Sequence, residues 1–306
     1  PSIGLDWNFF YSAGFEDWDR MNFLKAGLTS ADKITTVSPT YAKEIQSPSA
    51  GFRMDSLLHY RNQDLVGILN GVDTEVWNPQ TDKLIAANFS KENLKAKEKN
   101  KIALQERMGL PVNLNVPIIG MISRLVDQKG VAEMFAPTYG CLYKLCTEID
   151  VQIVVLGSGE RWCETELMAL KEKLPNLGVY IGYNEELSHL IEAGSDFFLM
   201  PSRYEPCGLN QMYSMLYGTL PIVHRIGGLA DTVQNYNEKT GDGTGFMFDN
   251  LTPQSIFDTV GWAVYAWYNK KDHIKEMQKR AMSQNFTWDN AAKQYIQVYT
   301  EALEKL

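Results

Sequence analysis

From residue 115 onward, the hydrophobic positions fall into short, nearly unbroken runs separated by mixed stretches. Residues 117–123, 151–156, 179–181, 197–200, 220–223 and 245–248 are too short and too continuously apolar for amphipathic helices, and they predict strands. Runs apolar on every position belong to strands buried on both faces. Between them, residues 164–174, 187–193 and 211–217 read as helices. Apolar strands alternating with helices predict an α/β fold with a parallel sheet covered on both sides. Residues 112–285 are therefore expected to form one complete Rossmann-like, doubly wound domain.

The pattern upstream is less regular. Residues 19–31 predict a helix presenting Met21, Leu24 and Leu28 on one face. Residues 32–39 predict a short β-branched strand ending at Pro39, followed by a helix over 40–45. Residues 47–70 hold weak elements that run into the turn at Gly71-Val72-Asp73. Residues 80–108 are rich in Lys and Glu and predict a solvated helix, closed by Gly109-Leu110-Pro111. Near the end, Ala291, Tyr295, Val298 and Tyr299 are spaced as on a helix over 290–304.

Composition narrows the partners. The 306 residues are 44% hydrophobic and 22% charged, an ordinary folded mix. Acidic residues number 37 against 29 basic ones, a net charge of −8. That balance argues against broad binding to nucleic acid or to an anionic membrane. A site for a phosphate-bearing ligand must then be built locally from a few placed cations and helix ends. No apolar run is long enough to span a membrane. Cys141, Cys146, Cys163 and Cys207 match no zinc spacing and no compact disulfide framework, which implies reduced thiols and a cytoplasmic setting. The opening Pro1-Ser2-Ile3-Gly4 has no Met and no targeting pattern, so the chain reads as starting mid-protein.

Open α/β sheets bind ligands outside the carboxyl ends of their strands. Four segments lie there. Ser123-Arg124-Leu125-Val126-Asp127-Gln128-Lys129-Gly130 puts two cations five residues apart on a strand-to-helix turn. An Arg fork with a Lys point charge suits a diphosphate, and two solvated surface cations give the same spacing. Pro201-Ser202-Arg203-Tyr204-Glu205-Pro206-Cys207-Gly208-Leu209 offers a carboxylate on a tight turn. Glu205 there suits sugar hydroxyls or a developing oxocarbenium charge, and equally an acid facing a helix start. Cys207 has no general base spaced near it and reads as a small packed thiol. Gly227-Gly228-Leu229 opens a helix and frees N–H groups for an anion, a weak signal alone, and the nearby His224 reads as structural. Gly157-Ser158-Gly159 lacks the third glycine of a dinucleotide fingerprint and reads as a tight turn.

Taken in order, Ser123-Arg124-Leu125 with Gln128-Lys129-Gly130, then Glu205-Pro206-Cys207-Gly208-Leu209, then Gly227-Gly228-Leu229-Ala230-Asp231-Thr232-Val233 resemble the bacterial glycogen synthases and plant starch synthases. Phe23-Leu24-Lys25-Ala26-Gly27, residues 35–45, Asn70-Gly71-Val72-Asp73 and Phe286-Thr287-Trp288 resemble them too, so the likeness spans nearly the whole chain. Glu205-Pro206-Cys207-Gly208-Leu209 argues against a sucrose- or trehalose-type synthase.

The resemblance implies a GT-B type fold with two Rossmann-like domains, one complete here and one partial. It divides the chain into a remnant of the acceptor-side domain (1–70), a hinge and charged helical linker (71–111), the nucleotide-sugar domain (112–285) and a terminal helix crossing back toward the first domain (286–306). It implies retaining transfer of glucose from ADP-glucose, or UDP-glucose, to the non-reducing end of an α-1,4-glucan. Neither a metal nor another cofactor is expected. The compartment implied is the bacterial cytoplasm, or a plastid in a plant or alga. Arg124 and Lys129 would stabilise the departing diphosphate, and Glu205 would sit beside the donor glucose. Amides near Cys207 and Gly208 would hold sugar hydroxyls, those at Gly228 and Leu229 would hold phosphate, and Leu209 and Gly227 would belong to the same nucleotide-sugar site. Tyr183 would stack on the base, Ser123 would line the donor site, and Asn70 would face the donor glucose. With no carboxylate nucleophile identified, front-face attack with the leaving phosphate as base is expected.

Two positions depart from the family pattern. Tyr213 stands where related retaining transferases carry a second Glu, and Ile226 replaces the usual Thr before the glycine pair. The family's Lys-Thr-Gly-Gly-Leu loop and catalytic-site His are not found. The chain is thus expected to be inactive by itself and active within an intact parent. A non-catalytic fragment that binds nucleotide sugar is the alternative.

Overall fold

The computed structural model describes residue 4, residues 6–11 and residues 14–305. Pro1, Ser2 and Ile3, on which the expected mid-protein start rests, lie outside the described residues. Two compact units result, one of Pro1–Asn70 with Trp288–Leu306 and one of Gly71–Thr287.

In the smaller unit, β1 (Glu16–Asp17) and β2 (Arg20–Met21) form an antiparallel hairpin. Its two turn residues, Trp18 and Asp19, both have positive φ, as a two-residue hairpin turn requires. This hairpin takes the first residues of the helix expected over 19–31. Helix α1 (Phe23–Ser30) starts only at Asn22, whose side chain caps the Lys25 N–H at 3.0 Å. Strand β3 (Ile34–Thr36), helices α2 (Pro39–Glu44) and α3 (Asp55–Tyr60) and strand β4 (Leu65–Gly67) follow, with β3 and β4 parallel.

The larger unit begins with an irregular segment and then α4 (Lys97–Met108). The expected solvated helix over 80–108 is corrected here in two ways. Its first half is not helical, and the helix that does form is buried on one face by Lys97, Asn100, Lys101, Leu104, Gln105 and Met108. That face repeats at 3.6 residues but is mostly polar, so hydrophobic periodicity could not reveal it. Its polar groups are satisfied internally. The Lys97 ammonium donates to the carbonyls of Glu192 and Ala193 and to Thr219 Oγ1. Lys101 pairs with Asp196 at 2.7 Å, and Gln105 donates to Gln152 at 2.8 Å.

Six strands then alternate with helices. They are β5 (Ile118–Ile122), β6 (Gln152–Gly157), β7 (Leu177–Ile181), β8 (Phe197–Met200), β9 (Leu220–His224) and β10 (Phe246–Phe248). The helices are α5 (Val131–Phe135), α6 (Leu142–Glu148), α7 (Arg161–Lys171), α8 (Glu185–Gly194), α9 (Asn210–Leu216), α10 (Gly227–Thr232), α11 (Pro253–Asn269) and α12 (Lys271–Met282). The strand order is β10-β9-β8-β5-β6-β7, every pair parallel. The expected runs at 117–123, 151–156, 179–181, 197–200, 220–223 and 245–248 coincide with these strands. Every residue of β6, β8 and β9 is buried, as a sheet covered on both faces demands. The four cysteines are free and buried.

Helix α13 (Trp288–Leu303) returns to the smaller unit, where Ala291, Tyr295 and Val298 pack with Val66 and Ile68. Among the described residues, no helix is long and apolar enough to cross a membrane.

Candidate functional site

The order of the sheet decides where a ligand can sit. The chain runs outward from β5 through β6 to β7, then crosses back to place β8 on the other side of β5. The chain therefore leaves β5 and β8 toward opposite edges of the sheet, and a crevice opens at their carboxyl ends. A cavity of about 340 Å³ opens there, lined by Ser123, Arg124, Lys129, Tyr183, Glu205 and Gly208 among others.

The loop after β5 turns sharply. Ser123 N–H donates to the Leu156 carbonyl at 3.1 Å and Leu125 N–H to Ser158 at 2.8 Å, which fixes the loop against β6. A single 3-10 turn, Asp127–Lys129, then ends at Gly130. Gly130 has φ +70°, and a Cβ there would lie 1.9 Å from the Pro201 carbonyl oxygen. Glycine thus serves two needs at once, a left-handed turn and backbone contact with the loop after β8.

That contact brings the charged groups together. Lys129 Nζ lies 2.5 Å from Glu205 Oε2, and Ser202 Oγ donates to the same oxygen at 2.9 Å. Glu205 is only 6% exposed, so its carboxylate depends on these partners. Arg124 donates to Gln128 Oε1 at 3.0 Å. Gly208 adopts φ +71° directly after Cys207. His224 is buried, stacks on Phe248, and its Nδ1 lies 2.8 Å from the Ser202 carbonyl. Its role is to hold the β8 loop, in keeping with the structural reading.

The sequence-predicted residues divide into three groups. Ser123, Arg124, Lys129, Tyr183, Glu205, Gly208 and Leu209 all line the cavity, with Gly157 and Ser158 of the expected tight turn. Tyr183 is 85% exposed, so its ring is free at the rim. Cys207, Gly227, Gly228 and Leu229 do not line it. They are packed instead, with Cys207 5% exposed and Leu229 fully buried. Gly228, expected to offer its amide to a phosphate, is held by backbone contacts. Its N–H donates to the Glu205 carbonyl at 3.0 Å, and a Cβ there would lie 2.0 Å from the Cys207 carbonyl oxygen. This glycine allows α10 to pack against the Glu205 loop. Asn70 closes the smaller unit, while the cavity is built by the larger one.

Sequence reasoning did not single out Ser202, Asn184, Ser188 or Asn210, all of which line the cavity. Ser202 was legible as a hydroxyl three residues before Glu205. Asn184 carried an N-cap signal for α8, where it accepts from Leu187 N–H at 2.9 Å. Ser123 Oγ is buried and has no hydrogen-bond partner among the described residues.

Residues 104–281, more than half of the chain, match the family described as "Glycosyl transferases group 1". The chain belongs to that family. Residues 1–60 match a second description, "Starch synthase catalytic domain". Within this family, the glycogen synthase of Treponema denticola is 66% identical over 305 residues, covering 100% of this chain and 62% of that protein. Glycogen synthase 1 of Geobacter metallireducens is 47% identical over 304 residues, covering 99% of this chain and 60% of its own length. The chain thus spans less than two thirds of these relatives. Among solved structures, the catalytic domain of Arabidopsis thaliana starch synthase IV, bound to ADP and acarbose, superposes with a TM-score of 0.90 at 34% identity. That match covers 98% of this chain and 62% of the other. The motif-based resemblance to glycogen and starch synthases therefore holds, and the fold is of the α/β GT-B type.

Proposed function

We propose that the larger unit binds a nucleoside diphosphate glucose in the β5–β8 cavity. Within an intact parent, the chain would transfer that glucose to the non-reducing end of an α-1,4-glucan with retention. One observation carries this reading: Arg124, Lys129 and the Lys129-paired carboxylate of Glu205 converge on one cavity at the sheet's switch point. High identity to glycogen synthases along the whole chain supports the enzyme over a non-catalytic binding fragment. The ADP-bound starch synthase supports ADP-glucose as the donor.

In this reading the diphosphate lies against Arg124 and Lys129. Breaking the bond between the anomeric carbon and the phosphate oxygen leaves added negative charge on the diphosphate. Two cations already aimed at that point stabilise it with little reorganisation. The Glu205 carboxylate offsets positive charge growing on the sugar ring, and the buried pair keeps the two opposite charges side by side. The acceptor 4-hydroxyl attacks from the same face, and its proton passes to the departing phosphate oxygen. Arg124 and Lys129 neutralise the leaving group in place of a metal. Tyr183 stacks on the base, and the Gly208 and Leu209 amides meet sugar hydroxyls. A soluble cytoplasmic protein fits these partners.

The test is incubation of the intact protein with radiolabelled ADP-glucose and a maltooligosaccharide. The expected product is the oligosaccharide lengthened by α-1,4-linked glucose. Release of free glucose without elongation, or no consumption of the donor, overturns the reading.

A further inference from the structure

The pair at Lys129 and Glu205 is assembled from two loops that share no sequence, so something must hold the loops in register. Several bonds join them, and most converge on Arg203. The Arg203 N–H donates to the Gln128 carbonyl at 2.8 Å. Its guanidinium spans Asp127 with two nitrogens, Nε 3.2 Å from Oδ2 and Nη2 3.2 Å from Oδ1. Nη2 also donates to Glu133 Oε1 at 2.7 Å. Gln128 Nε2 returns a bond to the Tyr204 carbonyl at 3.3 Å, while Gln128 Oε1 holds Arg124. Arg203 does not line the cavity.

These contacts have a common geometry. Asp127 and Gln128 stand between the two cations in sequence, and Arg203 stands two residues before Glu205. Fixing Asp127 fixes the short turn that ends in Lys129. We propose that Arg203 is a positioning residue that sets Lys129 and Arg124 at the phosphate end of the cavity without touching the ligand. The planar fork is what the job needs, because a two-point contact fixes orientation and a lysine point charge does not. This inference rests on the reading of the cavity as a nucleoside diphosphate site.

The test is calorimetric titration of the chain with ADP and, separately, with adenosine, which lacks the phosphates. Arg203→Met is expected to weaken ADP binding about tenfold and adenosine binding less than about twofold, as loss of a bidentate brace on the phosphate side predicts. Arg203→Lys is expected to fall between wild type and Arg203→Met, because it keeps the charge facing Glu133 and loses the fork. Asp127→Asn, at an exposed position, checks the same brace where Arg203→Met fails to fold, and should weaken ADP selectively. Unchanged ADP affinity in these variants overturns the inference while the site reading stands. Equal weakening of ADP and adenosine overturns it too, because a general distortion of the fold would act on both. Failure of the wild-type chain to bind ADP overturns the site reading, and this inference with it.

Discussion

The ammonium of Lys129 and the carboxylate of Glu205 meet at 2.5 Å although 76 positions separate them in the chain. Neither group is placed by its own loop alone. Parallel strands β5 and β8 start the two loops side by side, and the Gly130–Pro201 contact closes the remaining gap.

This pairing gives Glu205 a role that its charge alone can reveal. Glu205→Gln keeps the shape and the hydrogen bond from Ser202, but removes the charge that the proposed reading sets beside the reacting sugar. In the intact enzyme kcat should fall by roughly 10²–10³, with the donor KM changed by less than about threefold. Steady-state kinetics against ADP-glucose check the split. A rise in KM at unchanged kcat would assign Glu205 to ground-state binding instead.

Two glycines of the same unit should respond in opposite directions to one methyl group. Gly228→Ala drives a Cβ to 2.0 Å from a backbone oxygen, which cannot rotate away. It should cost about 1–3 kcal/mol. Gly261 lies within α11, where a Cβ would meet only ordinary contact at 3.8 Å. Gly261→Ala should therefore stabilise by about 0.5–1 kcal/mol. Urea midpoints measured in parallel decide, and a harmless Gly228→Ala would mean that α10 does not pack as described.

Burial sets a pH dependence beneath the site. Glu192 is fully buried behind α9, and burial pushes its carboxyl up to about 8. Between its ordinary value of 4.5 and about 8, the folded chain holds a proton that the unfolded chain has lost. Glu192 therefore takes stability away as pH rises through that window. Glu192→Gln removes the effect while keeping an acceptor for Ser214 Oγ, which bonds to Glu192 at 2.6 Å. The stability of the variant relative to wild type should grow from pH 5 to pH 8 and level off above, as followed by thermal melts. A constant difference across that range would mean that Glu192 ionises as it does in water.

Much of the fold was legible because strands β5 to β10 are apolar at nearly every position, a signal that depends on local sequence alone. The cavity was legible because its chemistry sits in the segments directly after β5 and β8. Two features were not legible, for different physical reasons. Helix α4 buries a polar face, so Lys97 and Lys101 read as solvated when their partners, the Glu192 and Ala193 carbonyls and Asp196, lie about 95 residues away. The composition at Gly228 suggests an anion site, but close approach to the Cys207 carbonyl requires glycine as well, and only the position of Cys207 reveals that packing use.

The central claim is that Lys129 stabilises the departing diphosphate from its place beside Glu205. The most direct measurement is kcat for Lys129→Ala in the intact enzyme at saturating ADP-glucose. The account predicts a loss of roughly 10²–10³, because the missing charge acts where negative charge develops in the transition state. An unchanged kcat would contradict it.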